Sequence, residues 1–170
     1  MRDCFVGIST LSRLNTLLAM TERYWKDLLY MPHEIAVALI RRSGKVLLGR
    51  RSPQRAFFPG VWDLFGGHVE PGEAHQQTMV REVQEELGIT PTAWNYEETL
   101  TQPLPATPED PSGDLLIAHL YLVTAWDGTP TNRQLEEHSE IDWFTLEEAV
   151  RLPLADPGYP MLFARYLSPQ

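Results

Sequence analysis

The strongest constraint in this chain is a group of three glutamates, Glu82, Glu85 and Glu86, near the end of a segment with helical periodicity over about residues 74–87. Gly88 follows in the position where a left-handed residue commonly closes a helix. Residues spaced i, i+3 and i+4 share one helix face, so the three carboxylates project to the same side. Like charges so placed destabilise an isolated helix by a few tenths of a kcal/mol per pair, a cost that a bound cation removes. Clustered hard oxygen ligands without Cys or His suit Mg²⁺ or Mn²⁺. The competing reading is a solvated acidic face, and two neighbouring features weigh against it. A glycine pair, Gly66-Gly67, and a tight turn over 70–73 precede the helix, where bare backbone can approach a ligand. Arg81 lies beside the acids with Glu73 eight residues before it, about two helical turns away. An arginine held between carboxylates fixes their orientation, as metal sites require.

The remainder of the chain frames that helix. Residues 1–30 carry leucines and Trp25 at roughly helical spacing, which predicts a helix over about 11–29, read as an N-terminal extension to a domain over 31–170. The pattern then turns to strand, with a hairpin over 35–48 around Ser43-Gly44 and a loop over 49–60. A short strand over 61–65 is expected to stop at the glycine pair. Extended stretches over 93–104 and 114–126 flank a polar, proline-rich loop. A strand over 140–144 and helices over 146–151 and 159–167 complete the domain. Strands with interspersed helices but no repeating βα rhythm predict an α/β fold, a mixed sheet covered on both faces.

Bulk properties narrow the function classes. With 170 residues and 43% apolar content the chain can bury an adequate core. A formal net charge of -9 argues against a nucleic-acid polymer as partner, because backbone binding needs clustered Lys and Arg. It does not oppose a small anionic substrate if cations neutralise part of the site. No apolar run approaches the ~18 residues of a membrane span. The single cysteine, Cys4, and the lack of a signal-peptide pattern point to a cytoplasmic protein.

Residues 67–89 read GHVEPGEAHQQTMVREVQEELGI. This resembles the Nudix box, G-x5-E-x7-R-E-U-x-E-E-x-G-U with U aliphatic, and Gly67, Glu73, Arg81, Glu82, Val83, Glu85, Glu86, Gly88 and Ile89 fill every specified position. The resemblance implies a MutT-like pyrophosphohydrolase with an α/β/α sandwich around a mixed β-sheet. It implies Glu82, Glu85 and Glu86 as ligands of Mg²⁺ or Mn²⁺, with the carbonyl of Gly66 as an additional ligand. Glu73 and Arg81 become an orienting pair. Glu82 is the first choice for general base, and Glu137 or Glu140, before Trp143-Phe144, is the runner-up and a further candidate ligand. Many relatives have Pro where this chain has Phe65, which adds a ring expected near the substrate.

The box specifies the bond and leaves the attached group open. By the same resemblance, Arg51 and Asp156 fall where MutT-type members contact the nucleotide, and Phe57, Phe58 and Trp62 offer further aromatic surface. The expected substrate is a nucleoside di- or triphosphate, oxidised ones included. The alternatives are ADP-ribose or a nucleotide sugar, to which Pro103 or Pro105 would point, and a nucleotide-binding regulatory module without catalysis, against which the intact glutamates weigh. A hydrolase that dimerises through residues 1–30 is a third reading. His68 stands at an unspecified box position and is not expected to be a ligand.

Overall fold

The computed structural model describes residues 33–55, 58–103 and 115–168. The expected helix over 11–29, Phe57 and the loop containing Pro105 lie outside these described residues. Strands β1 (His33–Arg42) and β2 (Lys45–Arg51) form the expected hairpin, with Ser43 and Gly44 both at positive φ in its turn. Strands β3 (Trp62–Asp63) and β4 (Phe65–His68) follow, then helix α1 (His75–Leu87). Strands β5 (Thr90–Pro103), β6 (Leu115–Asp127) and β7 (His138–Thr145) precede helices α2 (Leu146–Ala149) and α3 (Tyr159–Leu167).

The sheet runs β3-β2-β1-β6-β5, with β4 paired to β1 and β7 to β2. Strand β1 is parallel to β6 and antiparallel to β2 and β4, so the sheet is mixed. Its centre is β1, where every residue from Ala36 to Ile40 is buried, as expected of a strand covered on both faces. Alternation divides the core by parity. Ala36, Ala38, Ile40, Leu47, Tyr121 and Val123 pack beneath Met79, Val83 and Leu87 of α1. Val37, Leu39, Val46, Leu48 and Leu120 pack against Leu162, Phe163 and Leu167 of α3.

Two expectations change. Helix α2 ends at Ala149, earlier than 151. More consequentially, the strand after Trp62 does not stop at the glycine pair. Gly66 and Gly67 lie inside β4, opposite Val37 and Ala36 of β1. Bare backbone there lets β4 lie close against β1 at Gly66 and lets the Glu82 side chain approach at Gly67. Among the described residues no helix is long and apolar enough to cross a membrane.

Candidate active site

Helix α1 crosses β4 with its acidic face turned to the strand. Gly66 adopts φ 150°, and its N–H donates to Glu86 Oε2 at 3.0 Å. A Cβ on Gly67 would lie 2.3 Å from Glu82 Oε1. Gly67 therefore leaves room for the Glu82 carboxylate against the strand, whereas a Cβ on Gly66 would strike Ala36 O of β1, so bare backbone is needed at both positions for different reasons.

The helix is closed at its C-terminal end by Gly88 at φ 69°, whose N–H donates to Gln84 O at 2.9 Å. Arg133 N–H donates to Glu86 O and Thr131 N–H to Leu87 O, at 2.9 and 3.0 Å. Carbonyls that a helix end leaves open thus find partners in the segment leading to β7. The last turn, which carries Glu85 and Glu86, is fixed in place.

Arg81 organises the acids. Its Nε and Nη2 both donate to the Glu73 carboxylate at 3.0 Å, and Nη2 also donates to His68 O at 3.2 Å. Nη1 reaches Glu82 Oε1 at 2.7 Å and Glu85 Oε2 at 3.5 Å. Glu73 further accepts from Thr78 Oγ1 at 2.7 Å and the Glu70 N–H at 3.3 Å. The Arg81 guanidinium, then Thr78, hold the Glu73 carboxyl down at about 2. The pair spaced eight residues apart in sequence is thus a bidentate ion pair, the geometry in which arginine has no substitute.

The other acids carry charge at a cost. Glu86 is 2% exposed. Burial pushes its carboxyl well above the ordinary range, and repulsion from Glu82, Glu137 and Asp63 adds to this while the Gly66 N–H opposes it. Burial also raises Glu82, against the pull of Arg81, with Glu85 and Glu137 contributing repulsion. Glu85 is half exposed. Glu137 thus belongs electrostatically to this cluster and also pairs with Arg55 at 3.2 Å. Glu140 instead faces Arg50 at 3.8 Å, and both are exposed. Of the two sequence alternatives, the structure brings Glu137 to the acidic helix.

Among the described residues these acids do not already close into a set of three ready ligands. Arg81 lies on two of them, and Glu86 is turned toward the Gly66 N–H. Yet the donor set is all oxygen, and a buried carboxylate surrounded by three further acids is the environment a hard divalent cation relieves. The residues present fit such a cation.

Arg51 donates to Asp63 Oδ2 at 3.1 Å. Asp63 accepts in addition from Tyr159 Oη at 2.7 Å and the Leu64 N–H at 2.9 Å. Burial raises the Asp63 carboxyl against these contacts. Asp63 and Tyr159 were not expected from the sequence. The available signal was a carboxylate set between two buried apolar residues, Trp62 and Leu64. His138 was missed as well. It is 4% exposed, with Nδ1 3.7 Å from Glu86 Oε1. Burial, helped by Arg51 and Arg55, lowers its imidazole to about 4, so it is neutral near pH 7.

Phe65 requires a correction. It is 0% exposed, and its ring packs in the core beneath α1, 5.2 Å from the His138 ring, so it offers no face to a substrate. Strand parity is the reason: Phe65 pairs with Ala38, whose face of the sheet is the one α1 covers. Trp62 is likewise core, edge-on to Phe144 at 4.7 Å, while Phe58 is about half exposed. Asp156 is half buried and accepts the Gly158 N–H at 2.6 Å, shaping the turn into α3. The His68 ring lies beside His33 at 6.1 Å, and it is the His68 carbonyl that accepts from Arg81.

A family model described as NUDIX domain matches residues 31–165. The CTP pyrophosphohydrolase of Escherichia coli K12 is 37% identical over 131 residues, covering 77% of this chain and 89% of that protein. The nucleoside triphosphatase NudI of Enterobacter sp. strain 638 is 31% identical over 142 residues, covering 73% and 95%. Among solved structures, a MutT NUDIX hydrolase from Burkholderia pseudomallei superposes with a TM-score of 0.66 at 27% identity, covering 81% of this chain and 99% of that one. The family model over residues 31–165 and curated relatives above 30% identity lead to one family: the chain belongs to the Nudix hydrolases, enzymes that cleave acid anhydrides.

Proposed function

We propose that the chain hydrolyses nucleoside triphosphates to the monophosphate and pyrophosphate, using Mg²⁺ or Mn²⁺ held by Glu82, Glu85, Glu86 and the carbonyl of Gly66, with Glu137 as the further carboxylate. The observation that carries this reading is Glu86, a buried carboxylate facing three other acids and backed by one backbone N–H. The names of the two curated relatives support a nucleoside triphosphate as substrate. A bound divalent cation would neutralise the phosphate oxygens, stabilise the leaving pyrophosphate and acidify water.

The chain's own residues supply the remainder. Glu82 takes the proton of the attacking water. Its burial brings its carboxyl up toward the working pH, where a general base is most effective. Arg81 stays charged and keeps Glu82 and Glu85 aimed, and Glu73 anchors Arg81 from the far side. Arg51, braced by Asp63 and through it by Tyr159, meets the nucleotide, with Asp156 at the start of α3 as a second contact. Attack by water at one phosphorus of the α–β anhydride forms one P–O bond and breaks the bridge, the water proton passing to Glu82, and releases pyrophosphate and the nucleoside monophosphate.

The test is a substrate panel in Mg²⁺: CTP, the other nucleoside triphosphates including oxidised ones, ADP-ribose and dinucleoside polyphosphates. We expect pyrophosphate from the triphosphates, CTP among them, and no turnover in excess EDTA. Orthophosphate as the first product would move the attack to another anhydride. Silence across the panel with Mg²⁺ and Mn²⁺ would sink the reading.

A second expectation concerns the clamp. Arg81→Lys keeps a positive charge but cannot bind Glu73 through two N–H groups. It should lower kcat by about 10–100-fold, the usual effect of losing a residue that orients a metal ligand. Steady-state kinetics at saturating Mg²⁺ check this, and kcat within twofold of wild type would remove Arg81 from the orienting role.

A further inference from the structure

His138 stands at the start of β7, opposite Arg51 of β2. Its imidazole is held on two sides. On one side is Gly49, where a Cβ would lie 2.4 Å from His138 Cδ2. On the other is the Phe65 ring, at 5.2 Å between centroids. The backbone is pinned as well, because the His138 N–H donates to Gln134 O at 2.9 Å and the His138 carbonyl accepts from Asn132 Nδ2 at 2.6 Å. A ring wedged this way has little rotamer freedom, and the edge it turns toward Glu86 is the Nδ1 edge, 3.7 Å from Oε1. That distance exceeds a hydrogen bond but lies within range of a charge–dipole attraction. Glu86 presents its other oxygen, Oε2, to the Gly66 N–H. The carboxylate therefore sits between a strand N–H and an imidazole edge, one facing each oxygen.

We propose that His138 is a positioning residue for Glu86: its Nδ1–H edge fixes the carboxylate in the one orientation that receives the divalent cation, and Gly49 is glycine because it seats that ring. The inference rests on the reading of Glu86 as a cation ligand. It assigns β2 and β7 a function that neither the acidic helix nor its glycine pair contains.

Two substitutions separate positioning from packing. His138→Asn keeps a nitrogen donor where Nδ1 stands and loses most of the ring. His138→Phe keeps the ring between Gly49 and Phe65 and loses the nitrogen. The readout is Mn²⁺ affinity of the nucleotide-free protein, measured by electron paramagnetic resonance, with kcat and KM as a second readout. We expect His138→Phe to weaken Mn²⁺ binding by about 10–100-fold and to lower kcat more than it raises KM. His138→Asn should stay within a few-fold of wild type. Wild-type Mn²⁺ affinity in His138→Phe, or the opposite ranking with Asn the weaker binder, would reduce His138 to a packing residue and overturn the proposal. If the wild-type protein itself bound no Mn²⁺, the cation reading of Glu86 would fall and this inference with it. Gly49→Ala provides an independent check. It should weaken Mn²⁺ binding in the wild-type background and have little further effect beside His138→Ala, where the ring it strikes is gone. Equal Gly49→Ala penalties in both backgrounds would also overturn the proposal.

Discussion

Glu86→Gln is expected to lower kcat by about a thousandfold or more at saturating Mg²⁺ while making the metal-free protein more stable at pH 8. The loss follows from several kcal/mol of charge stabilisation that a correctly held cation supplies in the transition state, at about 1.4 kcal/mol per decade. The gain follows from burial. In the folded chain the Glu86 carboxyl is pushed well above the range it has when unfolded, by burial first and then by Glu82, Glu137 and Asp63. Below the unfolded value the group is protonated in both states and contributes nothing. As pH rises through that value, the unfolded chain loses its proton first and is favoured, so stability declines until the folded pKa is passed. Glutamine has almost the same shape and never ionises. The Tm advantage of the variant should therefore be present at pH 8 and shrink toward zero as pH falls to the ordinary carboxylate range. Mg²⁺ should raise the Tm of the wild-type protein, because it binds only the folded state, and leave the variant nearly unmoved. Thermal melts at several pH values, with and without Mg²⁺, measure all of this. An equal Mg²⁺-induced rise in both proteins would show that Glu86 does not hold the cation.

That combination, a side chain costly to the fold and central to the chemistry, explains which parts of the molecule were legible in the sequence. The three acids and Arg81 lie within one helix, with Gly88 closing its end, and there spacing translates directly into a shared face. Glu73 was legible only as a neighbour in sequence, because it reaches Arg81 from the turn just ahead of the helix and not from the helix face. Arg133 and Thr131, which fasten the end of that helix, were not legible, because their contact is made by a segment more than forty residues away. The same limit applies to Asp63 with Tyr159, and to Gly49 with His138. Each pair is brought together only when β2, β3 and β7 assemble and α3 closes the opposite face. Phe65 shows a different limit. Its type and its place beside the glycine pair suggested a ring over the substrate, and only the pairing of Phe65 with Ala38 reveals which face of the sheet it joins.

Glycine is poor in strand interiors, so the sequence alone predicts that the strand ends at the glycine pair. Its place within β4 leads to the largest expected effect on folding. Gly66→Ala would set a Cβ 2.1 Å from Ala36 O and 2.8 Å from Val37 Cα, at a φ of 150° that alanine rarely adopts. Both obstacles are backbone atoms of the central strand, so neither can rotate away. Relief requires β4 to part from β1, which breaks the ladder through Val37↔Gly66 and withdraws the Gly66 N–H from Glu86. Backbone strain and overpacking each cost about 1–3 kcal/mol, together a large share of the 5–15 kcal/mol that hold a domain folded. The Tm should fall by about 10 °C or more, and the protein that remains folded should turn over poorly, because Glu86 has lost its N–H. Gly72→Ala is the matched control. Gly72 also has positive φ, at 83°, but a Cβ there meets nothing within 4 Å. It should cost only the ~1–2 kcal/mol of left-handed backbone, with kcat preserved. Equal melting temperatures for the two variants would mean that φ alone, and not the closeness of β4 to β1, makes position 66 a glycine.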